Sequence, residues 1–227
     1  MKALIDGDIV AFSCAVFNEE YGWGNCQQDM DEMIARILQT TDSDEMTIYL
    51  SGPDNFRYAV NPNYKSNRKD KIDPIYREDA KAYLIERYGA ILTIGNEADD
   101  ELAINQTDET IICSIDKDLK QAAGRHYNWR KDEFDFVDPV DGLRLFYRQC
   151  LTGDSTDGIP GVGGIGAVKS ARIINDLEDE ADMFQAVQAI YNDDQRLLIH
   201  GRCLKIGQRP ENLWNFPEVA EAQHDND

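Results

Sequence analysis

Short apolar runs separated by longer mixed segments dominate the first half of the chain. The runs occupy residues 3–5, 46–50, 90–94 and 110–115. Each is short and lacks polar alternation, which is typical of strands buried on both faces of a sheet. Strands that alternate with helices predict an α/β fold, with a mainly parallel central sheet and flanking helices.

Two of the intervening segments carry helix signals. The first, residues 29–39, spaces Met30, Met33, Ile34, Ile37 and Leu38 along one helical face. In the second, Asp73 and Pro74 are typical of an N-cap and a first helical position, and we predict a helix that runs to Tyr88 and ends at Gly89. The aromatic residues Phe134, Phe136, Phe146 and Tyr147 are predicted to be core.

Acidic residues follow three of the apolar runs. Asp6 and Asp8 follow the first run, residues 97–100 (EADD) follow the third, and Asp116 and Asp118 follow the fourth. The carboxyl ends of parallel strands meet at one edge of a sheet, where ligands bind. Carboxylates that converge there repel one another and need a cation, and hard oxygen ligands favour Mg²⁺. The three histidines are too dispersed to indicate a zinc site.

A simpler interpretation of some of these acids stays open. Acidic residues stabilise the first turn of a helix through the helix dipole. This applies to EADD, in which Glu97 and Asp100 share a helical face, and to Asp154 and Asp157.

Charge changes the picture, because 43 acidic residues against 23 basic ones give a net charge of −20. Such a protein repels polyanions on average. The segment from residue 57 to residue 71 is an exception, with Arg57, Lys65, Arg68, Lys69 and Lys71 against one acid. The five scattered cysteines indicate no disulfide framework, and no apolar run reaches the length of a signal or a membrane span. We therefore expect a cytoplasmic protein without membrane contact.

Three motifs together resemble one known family. EADD, then SIDKDL (residues 114–119), then LTGDSTDGIPGVGGIG (residues 151–166) follow in that order. They resemble the flap endonuclease and 5′-to-3′ exonuclease family, which includes the 5′ nuclease domain of bacterial DNA polymerases and free-standing phage enzymes. The resemblance covers roughly residues 1–176. It implies a PIN-like α/β nuclease core over residues 1–137 with an arch at about residues 62–88. It also implies a helical lobe over residues 138–227 that carries a helix-three-turn-helix element.

The resemblance also implies chemistry. Family members hydrolyse DNA phosphodiesters with two or more Mg²⁺ or Mn²⁺ ions and leave 5′ phosphates. By motif, the implied metal ligands, direct or through water, are Asp6, Glu97, Asp99, Asp100, Asp116, Asp118, Asp154 and Asp157. Asp8 matches less firmly. Where the family has an aspartate at the end of the second strand, this chain has Ser51; either Asp54 compensates or one metal is bound more weakly.

Two further segments are implied to contact DNA with 5′ ends, flaps or nicks. In NYKSNR (residues 63–68), Lys65 and Arg68 match groups that act on the scissile phosphate, and Tyr64 is placed to stack on a base. A solvated basic loop is the alternative. In the hairpin, backbone amides and a K⁺ ion would grip a duplex through Gly161, Gly163, Gly164, Gly166 and Lys169. Other hypotheses are a PIN-like ribonuclease and a DNA-binding module with a decayed centre; protein partners are not indicated.

Overall fold

The computed structural model describes residues 1–68 and 72–218, so Lys69 and Lys71 of the basic segment lie outside the described residues. Within these ranges the centre of the molecule is a six-stranded sheet. Its strands are β1 (Lys2–Asp6), β2 (Glu45–Leu50), β3 (Ile91–Leu92), β4 (Thr110–Cys113), β5 (Gly124–Asn128) and β6 (Glu133–Val137). Their order is β3-β2-β1-β4-β5-β6, and β6 alone runs antiparallel to its neighbour. The predicted α/β class is confirmed.

Helices cover the sheet and continue beyond it. In chain order they are α1 (Gly7–Phe17), α2 (Trp23–Thr40), α3 (Phe56–Val60), α4 (Arg77–Tyr88), α5 (Ala98–Ile104), α6 (Pro139–Thr152), α7 (Ala167–Ile174), α8 (Glu180–Tyr191) and α9 (Asp194–Leu204). Short 3-10 helices occupy Ser66–Arg68 and Asp118–Gln121. A small antiparallel ribbon pairs β7 (Gly153–Asp154) with β8 (Ile159–Pro160).

The two halves of the chain pack mainly around different apolar clusters. One lies between the sheet and helices α1, α2 and α4, and includes Ile5, Val10, Ile34 and Leu84. Another joins α6 to α9, and includes Phe146, Tyr147, Ile174, Phe184 and Leu197. All five cysteines are free and buried. The division into residues 1–137 and 138–227 remains a prediction.

Three local predictions are wrong. The apolar run of residues 90–94 is not a buried strand, because only Ile91–Leu92 forms β3, at the edge of the sheet, where 49% and 44% of their surface is exposed. Helix α4 begins at Arg77 rather than Pro74, and Ile75, which precedes it, donates its backbone N–H to the Glu19 carboxylate at 3.0 Å. The helix does end at Tyr88, and Gly89 takes the left-handed conformation there. Phe134 and Phe136 are not core: they lie on the edge strand β6 with 57% and 66% of their surface exposed.

The described residues contain no helix that is both long enough and apolar enough to span a bilayer.

The junction between β1 and α1 has no loop, and Gly7 makes this possible. A Cβ atom at Gly7 would lie 2.7 Å from both Ile48 Cγ2 and the Tyr49 carbonyl oxygen. The start of α1 therefore packs directly on β2. Because the contact is partly with backbone, the neighbour cannot simply rotate away.

We predict that Gly7→Ala destabilises the fold by about 1–3 kcal/mol through overpacking. The matched control is Gly24→Ala in α2, where an added Cβ meets nothing within 4 Å. The free energy of unfolding, measured by urea denaturation, should fall for the first variant and stay level or rise for the second. Equal values for the two variants would contradict the close approach.

Candidate active site

A single cleft of about 950 Å³ opens at the carboxyl ends of β1 and β4. Its lining gathers acidic side chains from segments far apart in the sequence: Asp6, Asp8, Glu97, Asp99, Asp116, Asp118, Asp154 and Asp157. Seven of the eight acids that the family resemblance singled out are therefore brought together, and Asp8 joins them. Asp100 does not line the cleft.

Asp6 is the most tightly held of these acids. It is the last residue of β1 and the N-cap of α1, and its Oδ1 accepts a hydrogen bond from the Ile9 backbone N–H at 3.1 Å. Its Oδ2 accepts one from the Ser114 hydroxyl at 2.7 Å. Burial, together with the charges of Asp8 and Asp116, raises the pKa of Asp6 to about 7, although these two hydrogen bonds act to lower it.

Asp116 and Asp118 follow β4 on a turn that the chain itself stabilises. Asp116 donates its backbone N–H to Ser114, and its carboxylate accepts the Asp118 N–H at 2.8 Å. Burial and then the charge of Asp116 raise the pKa of Asp118 to about 6. Burial and the charge of Asp6 raise the pKa of Asp99 well above its usual value. The acids thus disfavour one another's ionised form.

Basic side chains from the segment between β2 and β3 neutralise part of this charge. Lys65 forms an ion pair with Glu97 and lies 3.9 Å from Asp157, and Arg68 binds Asp157 at 2.6 Å. Burial disfavours ionised Glu97, but the charges of Lys65 and Arg57 outweigh it and lower the pKa of Glu97. Both predicted phosphate-binding cations therefore lie among the acids.

Asp100 is committed elsewhere, so the structure does not support its predicted role as a direct metal ligand. It is fully buried, and its two oxygens accept bidentate hydrogen bonds from Arg57 at 2.6 and 2.9 Å. They also accept three backbone N–H groups, from Glu97, Gly207 and Gln208. Asp100 thus fixes the start of α5 and anchors the chain after α9.

Tyr64 is also placed differently from its prediction as a base-stacking group. Only 2% of its surface is exposed, and its hydroxyl lies between Glu97, at 3.0 Å, and Asp157, at 2.8 Å. Burial and the neighbouring carboxylates raise its pKa, so it stays a neutral donor. Its ring is not available to a base, and it serves to space the two acids.

At the second strand, Ser51 has a structural role. Its hydroxyl accepts the Ala98 N–H at 2.9 Å at the start of α5, and its own N–H donates to Asp8 at 2.9 Å. Lys81 approaches from α4 and lies 3.0 Å from Asp8. Asp54 is exposed and does not line the cleft, so it does not compensate for Ser51. Lys81 and Asp8 occupy this side instead.

The glycine-rich segment lies at the far end of the cleft. Gly163, Gly164 and Gly166 have no atoms near their Cβ positions, and Lys169 is exposed on α7. Gly161 instead packs against the backbone of Thr152. Its lack of a side chain allows this close contact beside the β7–β8 ribbon. The cleft reaches α7 at Ala167 and Ser170.

The carboxylate oxygens that line the cleft are suitable ligands for hard divalent cations. Asp118 Oδ1 is buried without a hydrogen-bond partner among the described residues, and the surrounding acids are hard oxygen ligands. Across residues 1–68 and 72–218, however, no three His, Cys, Asp or Glu side chains already form a ligand set for one ion. The acids are gathered in one cleft, but their side chains do not surround one common point.

The fold is similar to that of solved 5′-exonucleases and flap endonucleases. The 5′-exonuclease of bacteriophage T5, solved with divalent zinc ions, matches with a TM-score of 0.72 at 17% identity over 91% of this chain and 90% of that one. A bacteriophage T5 flap endonuclease, solved with DNA and metal ions, gives 0.71 at 16% identity, over 91% and 89%. The catalytic core of Rad2 with DNA substrate gives 0.52 at 15% identity, over 81% and 64%. No family model and no curated protein matches by sequence. The family resemblance is confirmed at the level of the fold.

The sequence did not single out Arg57, although it joins three parts of the molecule. Besides Asp100 it binds the carbonyl oxygens of Cys203 and Lys205, and it is 2% exposed. It lies in a basic stretch together with Lys65 and Arg68, and its partners are more than 40 residues away in sequence. No local signal separates it from them.

We predict that Arg57→Met lowers the free energy of unfolding by about 3–5 kcal/mol, because it leaves Asp100 buried without its counter-charge. The matched control is Arg209→Met, which removes an ion pair between an exposed arginine and Glu101, a residue of α5 like Asp100. This variant should lower the free energy of unfolding by less than about 1 kcal/mol. Chemical denaturation measures both. Similar losses for the two variants would contradict the assigned role.

Proposed function

We propose that the protein is a divalent-metal-dependent 5′ nuclease that hydrolyses DNA phosphodiesters and leaves 5′-phosphate products. The strongest support is the cleft, where acids from four separate segments face cations from a fifth. Structural neighbours with the same fold are nucleases, and two of them were solved with DNA. A purely structural role for the acids does not account for this, because their repulsion opposes folding.

Two Mg²⁺ or Mn²⁺ ions would be held by Asp6, Glu97, Asp99, Asp116, Asp118, Asp154 and Asp157. Bound ions of this kind lower the pKa of a water and stabilise the negative charge of an in-line displacement. Asp100 is proposed to position Glu97 and Asp99 by fixing the start of α5. Asp8, paired with Lys81, is left out of the set.

Lys65 and Arg68 are proposed to contact the scissile phosphate. Both are already held at the mouth of the cleft by Glu97 and Asp157. With these acids neutralised by bound divalent ions, the two cations would be free to bind a phosphate. A cation fixed where negative charge develops stabilises the transition state more than the ground state.

Duplex DNA beside a 5′ end, flap or nick would bind along the glycine-rich segment. Gly163, Gly164 and Gly166 leave the backbone open to close approach, and the backbone N–H groups at the start of α7 favour an anion. Lys169 adds charge, and a K⁺ ion held at this segment would add further positive charge toward the DNA backbone. The helical lobe of residues 138–227 is proposed as this duplex-binding part.

The proposal is tested by cleavage of labelled 5′-flap, nicked and blunt DNA in Mg²⁺ or Mn²⁺, beside single-stranded RNA. We expect DNA cleavage that EDTA abolishes and that Asp116→Asn lowers by more than about 100-fold, since loss of an outer-shell partner alone costs about 10- to 100-fold in metal sites. The matched control is Asp108→Asn, an exposed aspartate outside the cleft.

Other outcomes would select the other hypotheses. Cleavage of RNA in preference to every DNA substrate would favour a PIN-like ribonuclease. Binding of flap DNA without cleavage in either metal would favour a DNA-binding module. Activity that survives Asp116→Asn would come from a contaminant or another site.

We predict separately that Lys65→Ala lowers kcat about 100-fold and changes Kd for DNA by less than about 3-fold, because its charge acts mainly on the transition state. Lys131→Ala is the control, since Lys131 is exposed far from the cleft lining. Single-turnover rates and anisotropy in Ca²⁺ separate the two quantities. Equal losses in rate and binding would remove the assigned role.

A further inference from the structure

Among the described residues Arg148 has no carboxylate partner, whereas most of the cations in the same cleft form an ion pair. Seven basic side chains line this cleft: Arg57, Lys65, Arg68, Arg77, Lys81, Lys117 and Arg148. The first five each form an ion pair with a carboxylate. Among the described residues, neither Lys117 nor Arg148 does. Lys117 is exposed, whereas the Nε atom of Arg148 is shut off from solvent and has no hydrogen-bond partner there.

The other unsatisfied polar atoms lie in the same cleft. Asn55 Nδ2, a donor, and Asp118 Oδ1, an acceptor, are buried without partners in the described part of the chain. Asp8 Oδ1 also lacks a hydrogen bond, but it faces the Lys81 ammonium group at 3.0 Å. Buried polar groups in proteins are nearly always hydrogen-bonded. Their concentration here indicates a polar ligand that supplies the missing partners.

The position of Arg148 indicates which part of a ligand it meets. Leu145, Arg148, Gln149 and Thr152 form the face of α6 that lines the cleft. This helix leads directly into Gly153 and Asp154, and the cleft continues to Ala167 at the start of α7. Arg148 thus approaches from the side of the helical lobe, whereas Lys65 and Arg68 approach from the basic segment between β2 and β3.

We propose that Arg148 binds a backbone phosphate of the DNA strand that runs from the acidic cleft toward the glycine-rich segment. This phosphate is distinct from the scissile one assigned to Lys65 and Arg68, and the proposal rests on the proposed function. A guanidinium group presents several N–H donors in one plane and matches two phosphate oxygens at once. A bound phosphate would give Arg148 the hydrogen-bond acceptors that the described residues do not provide.

The test is binding of a labelled 5′-flap DNA by fluorescence anisotropy, in Ca²⁺, over a series of salt concentrations. Arg148→Gln should weaken binding about 5- to 10-fold and reduce the slope of log affinity against log salt by about one, as expected for one lost phosphate contact. Arg148→Lys keeps the charge, so it should restore the slope but only part of the affinity. The matched control, Arg130→Gln, removes the same charge from an exposed turn outside the cleft and should leave both unchanged.

The result that overturns the proposal is an Arg148→Gln variant with the affinity and salt slope of Arg130→Gln. A lowered thermal midpoint with an unchanged slope would assign Arg148 a structural role and also overturn it. The proposed function is tested separately by cleavage. If the wild type cleaves DNA and Arg148→Gln matches the control, this inference alone fails. If the wild type cleaves no substrate while Arg148→Gln still lowers binding and slope, the nuclease function fails and the phosphate site stands.

Discussion

Repulsion between carboxylates at the ends of parallel strands is the constraint around which the molecule is arranged. Asp6, Asp99 and Asp118 all have raised pKa values, because burial and then the charges of neighbouring acids disfavour their ionised form. The counter-charges come almost entirely from one stretch between β2 and β3, which supplies Arg57 and Lys65 among others. Acids and cations are thus separated in sequence and meet only in the fold. This separation places a group of positively charged side chains along one side of the cleft, although the net charge of the chain is −20.

The sequence predicts the parts of this arrangement that depend on local pattern. The buried strands β1 and β4, the end of α4 at Gly89 and the convergence of acids at strand ends all follow from apolar runs, turn chemistry and parallel topology. The family resemblance adds Asp154 and Asp157, whose place in the cleft depends on a lobe far along the chain.

What the sequence does not predict depends on partners that are distant along the chain. Asp100 stands in the same motif as Asp99, yet one faces the cleft and the other faces Arg57. Tyr64 is an aromatic residue of the kind that stacks on bases, but its hydroxyl is hydrogen-bonded to two carboxylates and its ring is buried in the apolar cluster that includes Phe146. Ser51 replaces an expected acid and becomes a helix cap. In each case the side chain's role is set by a contact that local patterns do not encode.

The direct junction between β1 and α1 has a consequence for how the cleft would respond to a ligand. Asp6 is at once the end of a strand and the cap of a helix, so its rotamer is fixed by Ile9 and Ser114 as the chain folds. Binding through Asp6 then requires little further loss of conformational entropy. Lys65, in contrast, is held in an ion pair with Glu97, which would have to loosen for the proposed contact with a phosphate. The side of the cleft at Asp6 is therefore already arranged for a ligand, whereas the side at Lys65 would have to rearrange. The rate at which a ligand settles in the cleft would then depend on the rearrangement at Lys65.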